Sequence, residues 1–281
     1  MKSFVPRVAA IQDISCLGRC SLTVIMPILS AMGIQVCPLP TAVFSTHLGG
    51  FGRPACCDFT DYMESFVQHW QQQGMTFDCI YSGFLASEQQ IDIVERTMNV
   101  FSANHPFVLV DPVMGDGGKL YTTYTKHMQE RMKQLVAKAD VITPNYTEAC
   151  FLLGEPYDEA VCDLGKMTDW LARLSDLGPE RVVITGIFIS QEKLLTLGYD
   201  QKNAAVYQVF SDYIPAKYPG TGDVFASVLL GSLLRGASLP CAMEQAADFV
   251  AEAIRVTLAF NTPPREGILL ETILSRLCLS E

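Results

Sequence analysis

The chain has 281 residues and a formal net charge of −10, with 49% hydrophobic and 18% charged residues. That apolar share can build a large core and excludes intrinsic disorder, and no apolar run approaches the roughly 18–20 residues of a membrane span. The acidic balance argues against nucleic acid or an anionic membrane as partner. It leaves room for an anionic small ligand at a helix N-terminus, where backbone N–H groups supply positive potential locally.

The hydrophobic pattern alternates between short β-rich runs and longer helical ones. Arg7 to Gln12 reads as a buried strand and Ser21 to Met32 as an amphipathic helix stopped by Gly33. Two short strands are expected near Gln35 to Leu39 and Ala42 to Ser45, followed by a glycine-rich loop holding His47, mobile and solvent-facing. Helix Asp58 to Gln73, strand Phe77 to Gly83 and helix Ser87 to Phe101 come next. Phe107 opens a buried strand that becomes a loop at Asp111-Pro112. Thr125 to Ala137 is helical, and the strand Ala139 to Asn145 runs into a helix through Leu153. A helix from Asp158 to Leu177, a strand Val182 to Thr185 and an antiparallel hairpin across Gln201-Lys202-Asn203 follow. Helices near Thr221 to Leu234, Pro240 to Phe260 and Pro264 to Cys278 finish the chain. This order predicts one α/β domain over residues 1–281: a central, mainly parallel sheet with helices on both faces.

Two further features bear on location. The ten cysteines include no Cys-x-x-Cys, and the vicinal Cys56-Cys57 has no His at ligand spacing. Free thiols in a reducing cytosol are therefore expected, not a disulfide framework or a zinc site. The N-terminus carries one early Lys and no apolar segment with a small-residue cleavage site, so no secretory signal is expected.

In open α/β sheets, ligands bind beyond the carboxyl ends of the strands. The residues after the apolar runs are Asp13, Ser45 to Gly52, Ser82-Gly83, Asp111, Thr143 to Glu148 and Thr185-Gly186, and they are small, polar or acidic. The strongest local signal is Pro219-Gly220-Thr221-Gly222-Asp223 at the start of a helix. Small residues let unpaired N–H groups approach an anion, and Asp223 beside them can accept a hydroxyl proton during phosphoryl transfer. The same residues could instead be a turn with a helix cap. No Lys-Ser/Thr follows, which disfavours a P-loop. Asp111, Asp116 and Glu148, with Asn145, form an acidic set whose oxygens suit Mg²⁺ held mainly by substrate phosphates; an Asx-turn and a capped helix are the bland alternatives.

The segments AIQD, PLPTAVFSTH, YSGFL, VLVDPVMGD, DVITPNYTEACFLLG and PGTGDVFASVLL, in this order, resemble the ribokinase-like superfamily, and within it the pyridoxal kinases of vitamin B6 salvage. The resemblance implies a three-layer α/β sandwich that uses ATP and Mg²⁺ to phosphorylate the 5′-hydroxymethyl group of pyridoxal, pyridoxamine or pyridoxine. It implies Asp223 as the base and Gly220, Thr221 and Gly222 as the anion hole. Asp111, Asp116, Asn145, Glu148, Thr185 and Gly186 match the ATP side, with Asp111, Glu148 and Thr143 near the metal and a K⁺ or Na⁺ ion near Thr143 and Thr185. Asp13, Thr46, His47 and Tyr81 match the side that meets the vitamer. The family implies a cytoplasmic homodimer with a small-molecule substrate.

The chain departs from that pattern at Asp13, where Ser is usual after AIQ, and in its Gly49-Gly50-Phe51-Gly52 stretch, which leans toward hydroxymethylpyrimidine kinases of thiamin synthesis. Those enzymes usually open on a glycine-rich segment that is absent here. A hydroxymethylpyrimidine kinase and a non-catalytic ligand-binding protein on the same fold are the alternatives.

Overall fold

The computed structural model describes residues 5–158 and 163–278. β1 (Arg7–Ser15) leads through α1 (Leu22–Ala31) to β2 (Gln35–Phe44), a short β3 (Cys56–Asp58) and α2 (Thr60–Gln72). β4 (Cys79–Ser82), α3 (Glu88–Val100) and β5 (Phe107–Val110) precede a small hairpin, β6 (Gly115–Asp116) with β7 (Lys119–Leu120), and then α4 (Lys126–Val136). β8 (Val141–Ile142), α5 (Tyr146–Leu153) and α6 (Leu164–Ser175) lead to β9 (Arg181–Phe188), β10 (Lys193–Asp200) and β11 (Ala205–Asp212). α7 (Thr221–Leu234) and α8 (Leu239–Ala259) follow.

Nine strands form one sheet in the order β11-β10-β9-β8-β5-β4-β1-β2-β3. The run from β9 to β2 is parallel; β10, between β9 and β11, and the edge strand β3 are antiparallel to their neighbours. The period of two along each strand decides which layer a side chain joins. Val8 and Ala10 of β1, Leu109 of β5 and Val183 of β9 pack toward α1, α7 and α8. Ala9 and Ile11, Val108 and Val110, and Val182 and Ile184 pack toward α2 through α6. The expected three-layer architecture is therefore present, and among the described residues no helix is long and apolar enough to cross a membrane.

Local expectations fail in four places. The two short strands expected between Gln35 and Ser45 are one continuous β2. Its prolines Pro38 and Pro40 pair opposite Ala10 and Gln12, and the register shifts only just after them, between Gln12 and Ile14. Gln35 N–H points to β1, bonding Pro6 O at 2.9 Å, so the even-numbered residues turn their missing N–H outward, where β3 covers only Ala42 to Phe44. The loop expected after Asp111 contains the β6–β7 hairpin. The helix expected from Asp158 begins at Leu164, with residues 159–162 outside the described residues. The helix expected over Pro264 to Cys278 is replaced by two single 3-10 turns, Pro264–Glu266 and Leu274–Leu277. Gly267 has φ 75° and passes so close to Arg19 that a Cβ there would sit 2.7 Å from the Arg19 carbonyl, and helical φ is forfeited at that crossing.

α7 carries the glycine-rich turn into the sheet, and it is held by apolar side chains such as Leu229, fully buried against the α1/α8 layer. Leu229→Ala should lower stability by about 2–5 kcal/mol, read as a fall in the urea midpoint; an unchanged midpoint would show that this layer does not hold α7.

Candidate active site

The carboxyl ends of β1, β5 and β8 and the start of α7 converge on one edge of the sheet, and each delivers a polar group. At α7 the N-cap is Gly220, φ 83°, and no side chain caps the helix. A Cβ at Gly220 would lie 2.3 Å from the Arg19 carbonyl. The turn therefore needs glycine for both its φ and its closeness to the neighbouring chain, and its first N–H groups stay open to a ligand. Thr221 does not cap either; its hydroxyl donates to Tyr218 O at 3.3 Å.

Asp223 stands in the first turn, buried. Its Oδ2 accepts the Ser21 N–H at 2.8 Å and the Cys20 thiol at 3.5 Å, while no donor among the described residues reaches Oδ1. Burial raises its pKa to about 6, with the Ser21 N–H pulling it down and Asp13 pushing it up. Asp13, buried at the end of β1, takes the Ser21 hydroxyl on Oδ1 at 2.6 Å and the Ser15 hydroxyl on Oδ2 at 3.2 Å; burial raises its pKa as well. Ser21 thus touches both carboxylates, and it does so at φ 55°, ψ −133°, a region that residues with a Cβ seldom occupy.

The second cluster lies between β5 and α5. Asp111 accepts the Thr143 hydroxyl at 3.0 Å. Glu148 takes Met114 N–H on one oxygen at 3.0 Å and Asn145 N–H on the other at 2.8 Å. Asn145 returns the bond by accepting Glu148 N–H at 2.9 Å, which completes a capping box on α5. Its amide donates to Gly115 O at 3.0 Å and so ties the β6–β7 hairpin to the site. Burial and the Asp223 charge raise Asp111 to about 7; burial and Asp111 push Glu148 well above its ordinary value. No Lys or Arg pairs with either carboxylate among the described residues. Two buried carboxyls answered only by hydroxyls and N–H groups make a hard-oxygen set that fits a divalent cation. Among the described residues no group of three His, Cys, Asp or Glu could hold a metal ion.

A crevice of about 650 Å³ runs alongside, between the β9–β11 end of the sheet and α8. Asp116, Asn145, Thr185, Gly186, Thr221 and Gly222 all line it, so most of the residues expected to meet ATP share one space. Asp116 is exposed there and bonds Gly117 N–H at 2.8 Å. The far wall is apolar, with Phe225, Ala247, Val250 and Ile254. These were not singled out from sequence; their spacing on two helices reads as ordinary core packing.

Three expected residues are placed differently from one another. Thr46 is half-buried at the end of the β2 region. His47 is buried, against the expectation of a solvent-facing loop: its Nε2–H donates to Arg265 O at 2.5 Å and its Nδ1 accepts Gly49 N–H at 3.0 Å. With both nitrogens used, it fastens the glycine-rich loop and offers no free nitrogen to a substrate. Tyr81 is fully buried in the α7 layer, so it underlies the site and does not face a ligand. Ser21 and Cys20 were missed as site residues, because the carboxylate that both reach, Asp223, lies about 200 positions away in sequence. The cysteines among the described residues are all free, as expected.

The profile of the family described as phosphomethylpyrimidine kinase matches residues 62–265. The pyridoxine kinase of Bacillus subtilis (strain 168) is 30% identical over 190 residues, covering 67% of this chain and 68% of that one. A crystal structure from Bacteroides thetaiotaomicron VPI-5482, described as a phosphomethylpyrimidine kinase in an orthorhombic form with pyridoxal, matches with a TM-score of 0.93 at 43% identity. It covers 97% of this chain and 96% of that one. Pyridoxal kinase from Lactobacillus plantarum matches with a TM-score of 0.88 at 31% identity over 98% and 97% of the two chains. The fold and these likenesses make the protein a phosphotransferase of the ribokinase-like architecture with an alcohol group as acceptor. The chain belongs to the phosphomethylpyrimidine kinase family.

Two predictions follow from the geometry. Asp111 carries a pKa of about 7 against an ordinary 3.8, so the folded protein holds a proton that the unfolded chain releases, and stability falls as pH rises from about 4 to about 7. Without Mg²⁺, Asp111→Asn should match wild type near pH 4 and exceed it at pH 8 by on the order of 1–3 kcal/mol; a pH-independent difference in chemical denaturation would contradict the burial of an uncompensated charge. Gly220→Ala should cost about 1–3 kcal/mol through its positive φ and the Arg19 carbonyl, and should lower turnover more than stability alone explains, measured at a temperature where the variant is fully folded.

Proposed function

We propose that the protein transfers the γ-phosphoryl group of ATP to the 5′-hydroxymethyl group of a vitamin B6 vitamer, whether pyridoxal, pyridoxamine or pyridoxine, in cofactor salvage. The observation that carries this reading is Asp223: one carboxylate oxygen is pinned by Ser21 and the other is left without a protein donor, one turn from an uncapped, glycine-lined helix start. The B6 acceptor draws support from the relatives named for pyridoxine and pyridoxal and from the Bacteroides structure with pyridoxal.

The steps are those the residues can perform. The acceptor hydroxyl gives its proton to Asp223 Oδ1 as its oxygen attacks the γ-phosphorus in line with the leaving ADP oxygen. The N–H groups from Gly220 to Asp223 face the charge that gathers on the equatorial phosphoryl oxygens, each worth about 3–4 kcal/mol by comparison with other oxyanion holes. Asp111 and Glu148, with Thr143 behind Asp111, would hold Mg²⁺ directly or through water; when bound, the ion neutralises charge on the transferred and bridging phosphoryl oxygens. The apolar wall of the crevice, Phe225, Val250 and Ile254, suits the flat face of a purine. Asp13 at the end of β1 and Thr46 beside the loop that His47 fastens would meet the acceptor.

A second acceptor is favoured by a specific observation: the matching family is described by a pyrimidine substrate, and the Gly49-Gly50-Phe51-Gly52 loop leans the same way. ADP release with Mg²⁺-ATP and K⁺ should be followed in parallel against pyridoxal, pyridoxamine, pyridoxine and hydroxymethylpyrimidine. Turnover on a vitamer supports the proposal, turnover on the pyrimidine alone replaces the acceptor, and binding of a vitamer without ADP release would make the protein a binder.

The base must be ionised to act, and Asp223 titrates near 6. kcat/KM should therefore climb with pH through about 6 and level above it. Asp223→Asn should lower kcat by roughly 10²–10⁴-fold with the KM for ATP little changed; near-wild-type turnover would remove Asp223 from the chemistry.

A further inference from the structure

We propose that Ser21 is a positioning residue for phosphoryl transfer: its N–H fixes Asp223, its hydroxyl fixes Asp13, and the acceptor's two carboxylate neighbours thereby hold one relative geometry. The proposal rests on the phosphotransfer reading above. Three of its groups are committed at once. The N–H reaches Asp223 Oδ2 at 2.8 Å, Oγ reaches Asp13 Oδ1 at 2.6 Å, and the carbonyl accepts Val24 and Ile25 N–H at 2.9 and 3.0 Å to start α1. An antiparallel bridge to Ile14 anchors the residue to β1.

The backbone supplies the second line of argument. At φ 55° and ψ −133° the natural occupant is glycine, which would keep both the N–H to Asp223 and the carbonyl to α1. A residue with a Cβ in that conformation is strained, and the only group it adds is the hydroxyl on Asp13. The strain is therefore accepted for the sake of that hydroxyl, whose short bond is to Asp13 and whose longer contact, at 3.8 Å, is to the Cys20 sulfur. Because the flipped peptide aims N–H at α7 while the side chain aims at β1, displacement of either carboxylate is felt by the other.

The titratable groups around Asp223 are Asp13 and Cys20 from the β1–α1 side, Asp111 beyond β5, Tyr81 on β4 and Tyr121 just after β7. Of these Asp13 takes the short bond from the Ser21 hydroxyl; that bond favours its charged form, and that charge raises the titration midpoint of Asp223. Loss of the hydroxyl favours neutral Asp13 and so moves the Asp223 midpoint to lower pH.

The test uses Ser21→Gly, which removes the hydroxyl and relieves the strain, with Ser21→Ala, Asp13→Asn and the Ser21→Gly/Asp13→Asn pair. Aspartate carboxyl carbons are titrated by NMR in the ligand-free proteins, with Asp223→Asn and Asp13→Asn for assignment, and initial rates are measured on the acceptor that wild type uses. Ser21→Gly should melt at or above the wild-type temperature, yet show a lower Asp223 midpoint and a kcat reduced by on the order of tenfold with the KM for ATP nearly unchanged. In the Asp13→Asn background it should add little to either effect. A Ser21→Gly protein with wild-type kcat and midpoint, or effects that add fully in the double variant, would overturn the proposal. Midpoints that move as expected in a protein that turns over no acceptor would sustain the Ser21 link and defeat the phosphotransfer reading instead.

Discussion

Four carboxyl groups, Asp13, Asp111, Glu148 and Asp223, are held out of water along one edge of the sheet, and no ion pair among the described residues offsets any of them. Burying a charge without a counter-charge is costly, and burial accordingly raises the pKa of all four. The surrounding structure is organised to meet that cost with dipoles. The Ser15, Ser21 and Thr143 hydroxyls and the Met114, Asn145 and Ser21 N–H groups each answer one carboxylate oxygen. What the dipoles leave unmet is negative potential facing the ligand side. That potential would repel the phosphates of a nucleotide, so an accompanying divalent cation is the electrostatic complement of the set.

This arrangement needs both helical layers. α5 brings Asn145 and Glu148 from one face of the sheet and α7 brings the glycine turn and Asp223 from the other. They meet beside the place where the strand order reverses, since β1 sends the chain to β2 on one side and finds β4 on the other. Connections that leave in opposite directions favour ligand binding at such a reversal, while the crevice of about 650 Å³ lies further along, by β9 to β11. Asp13, at the end of β1, stands at that position, and Ser21, on the first connection, links it to α7.

The sequence revealed those parts whose cause is local or periodic. Short, continuous apolar runs marked β1, β4, β5 and β9, and Asn145 with Glu148 three residues on is a capping pattern readable without coordinates. Pro40 misled because it falls where a break was expected, whereas Pro38 and Pro40, two residues apart, both face the open edge. The last segment misled because Leu270, Ile273 and Leu277 recur at helical spacing and are buried, yet Gly267 turns the chain against Arg19 before a helix can start. Ser21 was invisible for another reason: a serine before an amphipathic run looks like an N-cap, and here its side chain makes no cap bond and serves Asp13 instead.

The same long-range logic governs His47. Arg265 O can only accept and Gly49 N–H can only donate, so the two bonds together require a proton on Nε2 and a bare lone pair on Nδ1. The imidazole is thereby a rigid strut between the glycine-rich loop and the 3-10 turn at Pro264–Glu266, with its ring edge-on to Phe51, whose face in turn lies under the Arg265 guanidinium. Arg19 reaches the same turn, donating to Glu266 O and pairing with Glu271, and its own carbonyl sits where a Cβ of Gly220 would be. The stretch that resembled a terminal helix is thus the brace behind both the glycine-rich loop and the Gly220 turn. Its irregular backbone allows this, because a regular helix would bond its own carbonyls and leave none for His47 and Arg19.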